Sequence, residues 1–302
     1  MRLLEHEAKR LFAEYGIPVP EGVLISKPFE AKEAIRKTAT PAVLKAQLPI
    51  GGRGKAGAVK IVDDIAAAVR ESAVMFEAEF QGLRPDSVLV EEFVPHEDEY
   101  YVGLVLSRPQ RRFVALASQR GGVDVEELSA RGALHMERIH PVVGLMDFQA
   151  RRLAKRTLPA ATTELQTLVE KMNRLMLDKD LELVEINPLV RTNRGLVALD
   201  AKVTVDDNSL FRQPSASEAA ASTTYKDEAQ KVARDEGFAF VPLEGEIAVI
   251  GNGAGLVMAT LDLVASYGGR PACFVDVGGG ASPRVVARAV QTVQKELRPV
   301  AT

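Results

Sequence analysis

The chain is poor in the residues that make redox or metal sites. One cysteine, Cys273, among 302 residues cannot form an intramolecular disulfide and offers no C-x-x-C pair. Its four histidines, His6, His96, His135 and His140, show no metal-binding spacing, and His6 reads as a satisfied position on a helix surface. A formal net charge of −3 supplies neither the basic field that attracts nucleic acid nor a polybasic membrane patch. Nor does any apolar run approach the length of a membrane span. The opening MRLLEHEAKRLF alternates charged and apolar residues, unlike a signal peptide or an anchor. The expectation is a soluble, cytoplasmic protein with no nucleic-acid or membrane partner. At 46% hydrophobic and 26% charged residues the chain is not largely disordered, and its length suffices for two cored domains.

What is present concentrates in residues 41–60, PAVLKAQLPIGGRGKAGAVK. An apolar strand carrying Lys45 breaks into Gly51-Gly52-Arg53-Gly54-Lys55-Ala56-Gly57, and a second strand follows at once. Glycines let backbone N–H groups approach an anion closely, while Lys45, Arg53 and Lys55 supply charge. The loop is no P-loop, because G-x-x-x-x-G-K-[ST] is absent and no helix opens after it. A solvated surface hairpin is the plain alternative. Against it stands the cost of burying a lysine unpaired in an apolar strand. A lid over nucleotide phosphates is the expected role.

The pattern over residues 1–225 predicts an α+β domain. Helices are expected around Leu4–Tyr15, Phe29–Thr38, Ile65–Phe80 and Glu164–Asp178. Strands are expected at Gly22–Ile25, Ser87–Phe93, Glu99–Ser107, Phe113–Ser118, Leu181–Val190 and Leu196–Val205. Ser215 to Gly237 reads as a helical connector, with the domain link at 226–240. From 241 to 302 strand and helix alternate (Glu246–Ile250, Leu256–Tyr267, Ala272–Val277, Arg284–Leu297), the opening of a doubly wound parallel sheet. Two parallel strands leave an edge uncovered, so the chain is expected to be truncated at Thr302.

Glu185 and Asn187 are two apart on a predicted strand and share a face. If the following turn centres on Asn193-Arg194, paired residue numbers sum to 387 and Asn187 faces Asp200. Two oxygen ligands so placed suit Mg²⁺ bridging to nucleotide phosphates. A bulge at Gly195 would shift that register by one. Glu91, Glu92 and Glu99 border the turn 93–98, where a carboxylate could accept from ribose or adenine and the Val94 backbone could read a purine edge. NGAG at 252–255 opens a helix, whose first N–H groups make an anion site.

In order along the chain, LLEHEAKRLFAEYGIPVPEG, KAQLPIGGRGKAGAVK, EINPLV, ALDAKVTVDDNSLFRQP, GNGAGLVMATLD and DVGGGA resemble the β subunit of succinate–CoA ligase. VEEFVPH has something of the related ATP-citrate lyase. The resemblance implies an N-terminal ATP-grasp domain (1–225) and an incomplete flavodoxin-like CoA-ligase domain (241–302). It further implies nucleotide binding by Lys45, Gly52, Arg53, Gly54, Glu91, Val94 and Glu99, with Mg²⁺ on Asn187 and Asp200. Glu185 would meet a phosphohistidine carried by a partner α subunit, and Asn252 would touch the acyl substrate. The implied reaction turns succinate, CoA and ATP (or GTP) into succinyl-CoA, ADP (or GDP) and phosphate. Alternatives are a malate– or citrate–CoA ligase subunit, a self-contained carboxylate–amine ligase, and a nucleotide-binding assembly subunit without turnover.

Overall fold

Helix α1 (Glu5–Glu14) buries Ala8, Leu11 and Phe12 in the largest core, as its periodicity predicts. It also buries Glu5 and Lys9, which the apolar pattern conceals. The computed structural model describes residues 1–214 and 228–297. The chain divides into two units, Met1–Thr224 and Tyr225–Thr302.

The first unit holds two antiparallel sheets. Strands β1 (Gly22–Ile25), β2 (Ala42–Ala46), β3 (Val59–Val62) and β4 (Val88–Glu92) form one, ordered β1-β4-β2-β3. Helices α2 (Ala31–Thr38) and α3 (Ile65–Glu77) pack on it through Ile35, Leu44, Met75 and Val90. Asp64 starts α3 by accepting the Ala67 N–H at 2.7 Å, which satisfies one of the helix's orphan donors.

The second sheet contains β5 (Glu99–Ser107), β6 (Arg112–Ser118), β7 (His135–Arg138), β8 (Leu181–Thr192), β9 (Gly195–Ala198) and β10 (Lys202–Val205). Its order is β10-β8-β5-β6-β7, with β9 also on β8. Between 119 and 163, where the sequence reading assigns no element, lie α4 (Val125–Ala130), β7 and α5 (Asp147–Thr157). Helix α6 (Thr162–Asp178) packs beside α5 and buries Leu165, Leu168, Met172 and Leu175 in the core shared with α1.

The expected single strand Leu196–Val205 is two strands in one register. Leu189 faces Ala198 and Glu185 faces Lys202, so both ladders keep the sum of 387. Gly195 causes no shift. After Leu199, whose N–H reaches Pro188 O at 3.1 Å, the ladder opens at Asp200 and resumes at Lys202. The opening has a local cause: Asp200 Oδ1 accepts the next residue's N–H, Ala201, at 2.7 Å, a side-chain bond that competes with the sheet. Asn187 and Asp200 thus flank a break in the ladder rather than forming a rung of it.

The second unit contains α7 (Glu228–Glu236), β11 (Ala239–Pro242), β12 (Ile247–Gly251), α8 (Ala254–Ser266), β13 (Pro271–Asp276) and α9 (Pro283–Leu297). β12 and β13 are parallel, as expected, but β13 is central. β11 pairs antiparallel along its other edge, where the sequence reading leaves that edge bare. The stretch expected as a link is built into this unit, since Ala229, Ala233, Phe238 and Phe240 are buried with Val275, Ala289 and Val293. The 215–227 part of the expected connector lies outside the described residues. Among the described residues no helix is long and apolar enough to cross a membrane.

Candidate active site

The two sheets of the first unit border a cavity of about 960 Å³. Its wall collects Lys45 from β2, Gly52, Arg53 and Gly54 from the loop before β3, and Glu91 from β4. It also collects Val94 and Glu99 from the crossing into β5, Glu185 and Asn187 from β8, and Asp200 from the ladder break. Of the site residues that the resemblance implies, Asn252 alone belongs to the second unit.

The base of the cavity is a buried ionic cluster that the sequence reading half finds. Glu5 and Lys9 from α1 join Lys45, Arg53 and Glu91, all five buried. Lys45 Nζ lies 3.0 Å from Glu5 Oε1 and 2.7 Å from Glu91 Oε2, and donates to Leu199 O at 2.6 Å. Lys9 Nζ repeats this triad, with Glu91 Oε1 at 2.5 Å, Glu5 Oε1 at 2.9 Å and Leu199 O at 2.7 Å. Arg53 spans the cluster, Nη1 to Glu5 Oε2 at 2.7 Å and Nη2 to Asp200 Oδ1 at 2.6 Å. The i,i+4 spacing of Glu5 and Lys9 was the available signal, but such pairs usually mark solvated helix faces.

Electrostatics favour the charged forms of Glu5, Lys45 and Arg53. Burial opposes ionisation of Glu5, yet Lys45, Lys9 and Arg53 outweigh it and hold the carboxyl well below the usual range. Burial likewise opposes the Lys45 ammonium, but Glu5 and Glu91 raise its pKa above that of a free lysine. At Arg53 burial is again outweighed, by Glu5 and then Asp200. Burial prevails at Lys9, with repulsion from Lys45 adding to it, and its pKa falls. An ammonium has three protons, and Lys45 already meets three acceptors. A phosphate touching Lys45 must therefore displace or share one of them.

Lys55, also expected near phosphate, is exposed and pairs with Asp124 at 2.6 Å, joining the glycine loop to the start of α4. On the same side Asn187 Oδ1 accepts the Gly122 N–H at 2.7 Å, and its Nδ2 donates to Val123 O at 2.9 Å. Gly122 takes φ +69°, and a Cβ there would fall 2.0 Å from Glu99 Oε2. This backbone conformation favours glycine, and a Cβ would force the Glu99 carboxylate to move. The turn before β5 is tied by His96, whose Nδ1 is 2.8 Å from Val94 O and Nε2 3.2 Å from Glu99 Oε1. Of the Val94 backbone expected to read a purine edge, the carbonyl thus already has a partner.

The donor set fits a hard divalent cation shared with phosphates. Asn187 and Asp200 bring amide and carboxylate oxygens to one wall, the ligand type Mg²⁺ takes when phosphates and water complete its shell. Among the described residues no group of three His, Cys, Asp or Glu side chains could hold a metal by itself.

In the second unit Asp276 Oδ1 accepts the N–H groups of Gly253 at 2.7 Å and Gly278 at 2.8 Å. This carboxylate ties the loop carrying Asn252 to the loop after β13. It also occupies the Gly253 donor that the sequence reading offers to an external anion.

Two antiparallel sheets facing across a cleft with a buried lysine and arginine at its base and a glycine loop at its rim define an ATP-grasp protein, and the family model described as an ATP-grasp domain matches residues 2–191. The β subunit of an ADP-forming succinate–CoA ligase from Ignicoccus hospitalis is 44% identical over 299 residues, 98% of this chain and 79% of the relative. The GDP-forming counterpart from Thermus thermophilus is 42% identical over 300 residues, with the same coverage of 98% and 79%. The structure of ATP citrate lyase from Methanothrix soehngenii, in complex with citrate and coenzyme A, superposes with a TM-score of 0.70. It covers 97% of this chain and 76% of that one at 20% identity, a likeness of fold alone. The chain belongs to the succinate–CoA ligase β-subunit family.

Proposed function

We propose that this chain is the nucleotide-binding β subunit of a ligase that converts succinate, CoA and ATP or GTP to succinyl-CoA, ADP or GDP, and phosphate. The observation that carries the reading is the single cavity on which Lys45, Arg53, Glu185, Asn187 and Asp200 converge. Relatives named for succinate match nearly the whole chain, whereas the citrate lyase likeness supports only fold, so succinate is preferred to citrate or malate.

Phosphoryl transfer asks mainly for positioning and charge neutralisation. Lys45 and Arg53 supply fixed positive charge at the cavity base. The backbone of Gly52 and Gly54 allows close approach from the rim. Glu91 would hold Lys45 at the cavity base, while Val94 and Glu99 would border the nucleoside. Asn187 and Asp200 would hold Mg²⁺, which when bound neutralises charge on the phosphate oxygens. The γ-phosphoryl group leaves the bridging oxygen of ATP and bonds to an imidazole nitrogen of the partner α subunit, with Glu185 meeting that imidazole. Asn252 would contact the carboxylate substrate. The first unit is assigned as the ATP-grasp domain and the second, which takes in the expected link at 226–240, as the CoA-ligase domain, in a cytoplasmic setting suited to one unpaired thiol.

Phosphorylation of a supplied α subunit by γ-labelled ATP tests the reading. Label on the α subunit that is passed on when succinate and CoA are added supports it. Nucleotide binding without transfer would make the chain an assembly subunit. Label transferred to a small amine acceptor without the α subunit would make it a carboxylate–amine ligase.

A further inference from the structure

Glu185 sits mid-strand on β8 between two direct cross-strand neighbours, Gly103 on β5 and Lys202 on β10. Tyr101 is two residues before Gly103 and is among the largest fully buried side chains. Its hydroxyl reaches Glu185 Oε2 at 3.3 Å. The path exists because residue 103 has no side chain. A Cβ there would lie 2.7 Å from Tyr101 Oη and 3.2 Å from Cζ, so the ring occupies the space a larger residue would fill. Lys202 Nζ lies 3.6 Å from the other oxygen, Oε1.

We infer that Tyr101 is a positioning residue for phosphoryl transfer, holding Glu185 in one orientation through its buried hydroxyl. The inference rests on the β-subunit reading, in which Glu185 meets the partner's imidazole. A lone glutamate on a cavity wall samples several rotamers. Here Oε2 is held from behind by the phenol and Oε1 is drawn toward Lys202, which fixes the carboxylate plane. Burial, then the Glu185 charge, raises the Tyr101 pKa well above that of a free phenol, so the hydroxyl remains a donor. Tyr101 lies behind Glu185 and is not on the cavity wall. Its effect must therefore pass through the carboxylate.

The test uses the chain with its α subunit and four forms: wild type, Tyr101→Phe, Glu185→Gln and the double variant. Single-turnover transfer from γ-labelled ATP and MgADP affinity by calorimetry are measured on each. Tyr101→Phe should bind MgADP within about twofold of wild type and transfer label about tenfold more slowly, the effect of roughly one hydrogen bond. In the Glu185→Gln background the same change should alter transfer less than about twofold, because coupled residues are not additive. An unchanged rate in Tyr101→Phe, or a tenfold loss that persists without Glu185, overturns the inference alone. Loss of MgADP binding in Tyr101→Phe does so too, since the hydroxyl would then be structural. A wild-type chain that transfers no label overturns the β-subunit reading and this inference with it.

Discussion

Arg53 reaches Asp200 with Nη2 2.6 Å from Oδ1, joining the loop between β2 and β3 to the opening in the β8 ladder. One member belongs to the first sheet's glycine-rich lid, the other to the second sheet's proposed metal wall. Asp200→Asn would remove the anionic oxygen while keeping the side chain's shape. The fold should survive, because this carboxylate is more than a third exposed. MgADP affinity should fall by on the order of tenfold or more, about 1.4 kcal/mol for each decade. Calorimetric titration with and without Mg²⁺ checks this; equal affinities would make Asp200 a surface acid.

Lys45→Met leaves Lys9 and Arg53 facing Glu5, Glu91 and the partly exposed Asp200, so each of the two buried carboxylates keeps a cationic partner. Folding should be largely retained while nucleotide binding and phosphoryl transfer weaken. Lys45→Arg should restore only part of the activity, since a planar fork does not reproduce an ammonium held by three acceptors. Full transfer in the Met variant would exclude a phosphate role for Lys45.

Glu5→Gln is the opposite case. It leaves Lys9, Lys45 and Arg53 with Glu91 as the one remaining buried carboxylate, an uncompensated charge costing about 3–5 kcal/mol. Because the folded-state pKa of Glu5 is depressed, its contribution is complete above the ordinary value of 4.5 and is lost as pH falls below it. Urea unfolding over a pH series should therefore show a shallower acid-side decline in Glu5→Gln than in wild type. Identical acid slopes would contradict the assigned ion pairing.

Gly122→Ala places a methyl group 2.0 Å from Glu99 Oε2 at a backbone with φ +69°. The left-handed conformation alone costs about 1–2 kcal/mol for a residue with a Cβ. Glu99 or the loop must move, and the loop's hold on Asn187 moves with it. Weaker MgADP binding and a lower thermal midpoint are expected together. Unchanged values for both would mean that the loop 121–123 relaxes at no cost to the site.

Some of this was legible before any coordinates. The strands Gly22–Ile25 and Glu99–Ser107 have the bounds their patterns predict, because alternation and turn residues act locally. The β8 register followed from one turn at Asn193-Arg194, and it holds on both sides of the opening at Asp200. β11 was not legible: Ala239–Pro242 is short, and its fourth residue is a proline that no isolated pattern marks as a strand. Residues 119–163 were not legible either: α4 spans six residues and β7 four, and the eleven residues of α5 bury only Ala150, Leu153, Ala154 and Thr157, a thin apolar stripe among charged residues.

The sequence by itself determined which chemistry the chain carries: a glycine-dense cationic loop, a Glu-x-Asn strand and an aspartate thirteen residues beyond the asparagine. Those are patterns within short segments, where spacing alone decides which side chains share a face. Tertiary structure decided what each charge meets. Glu5 is forty positions from Lys45, Lys9 eighty-two from Glu91, and Arg53 one hundred and forty-seven from Asp200. An ion pair depends on distance in space, which the chain's own order does not encode until both sheets have closed on their cores.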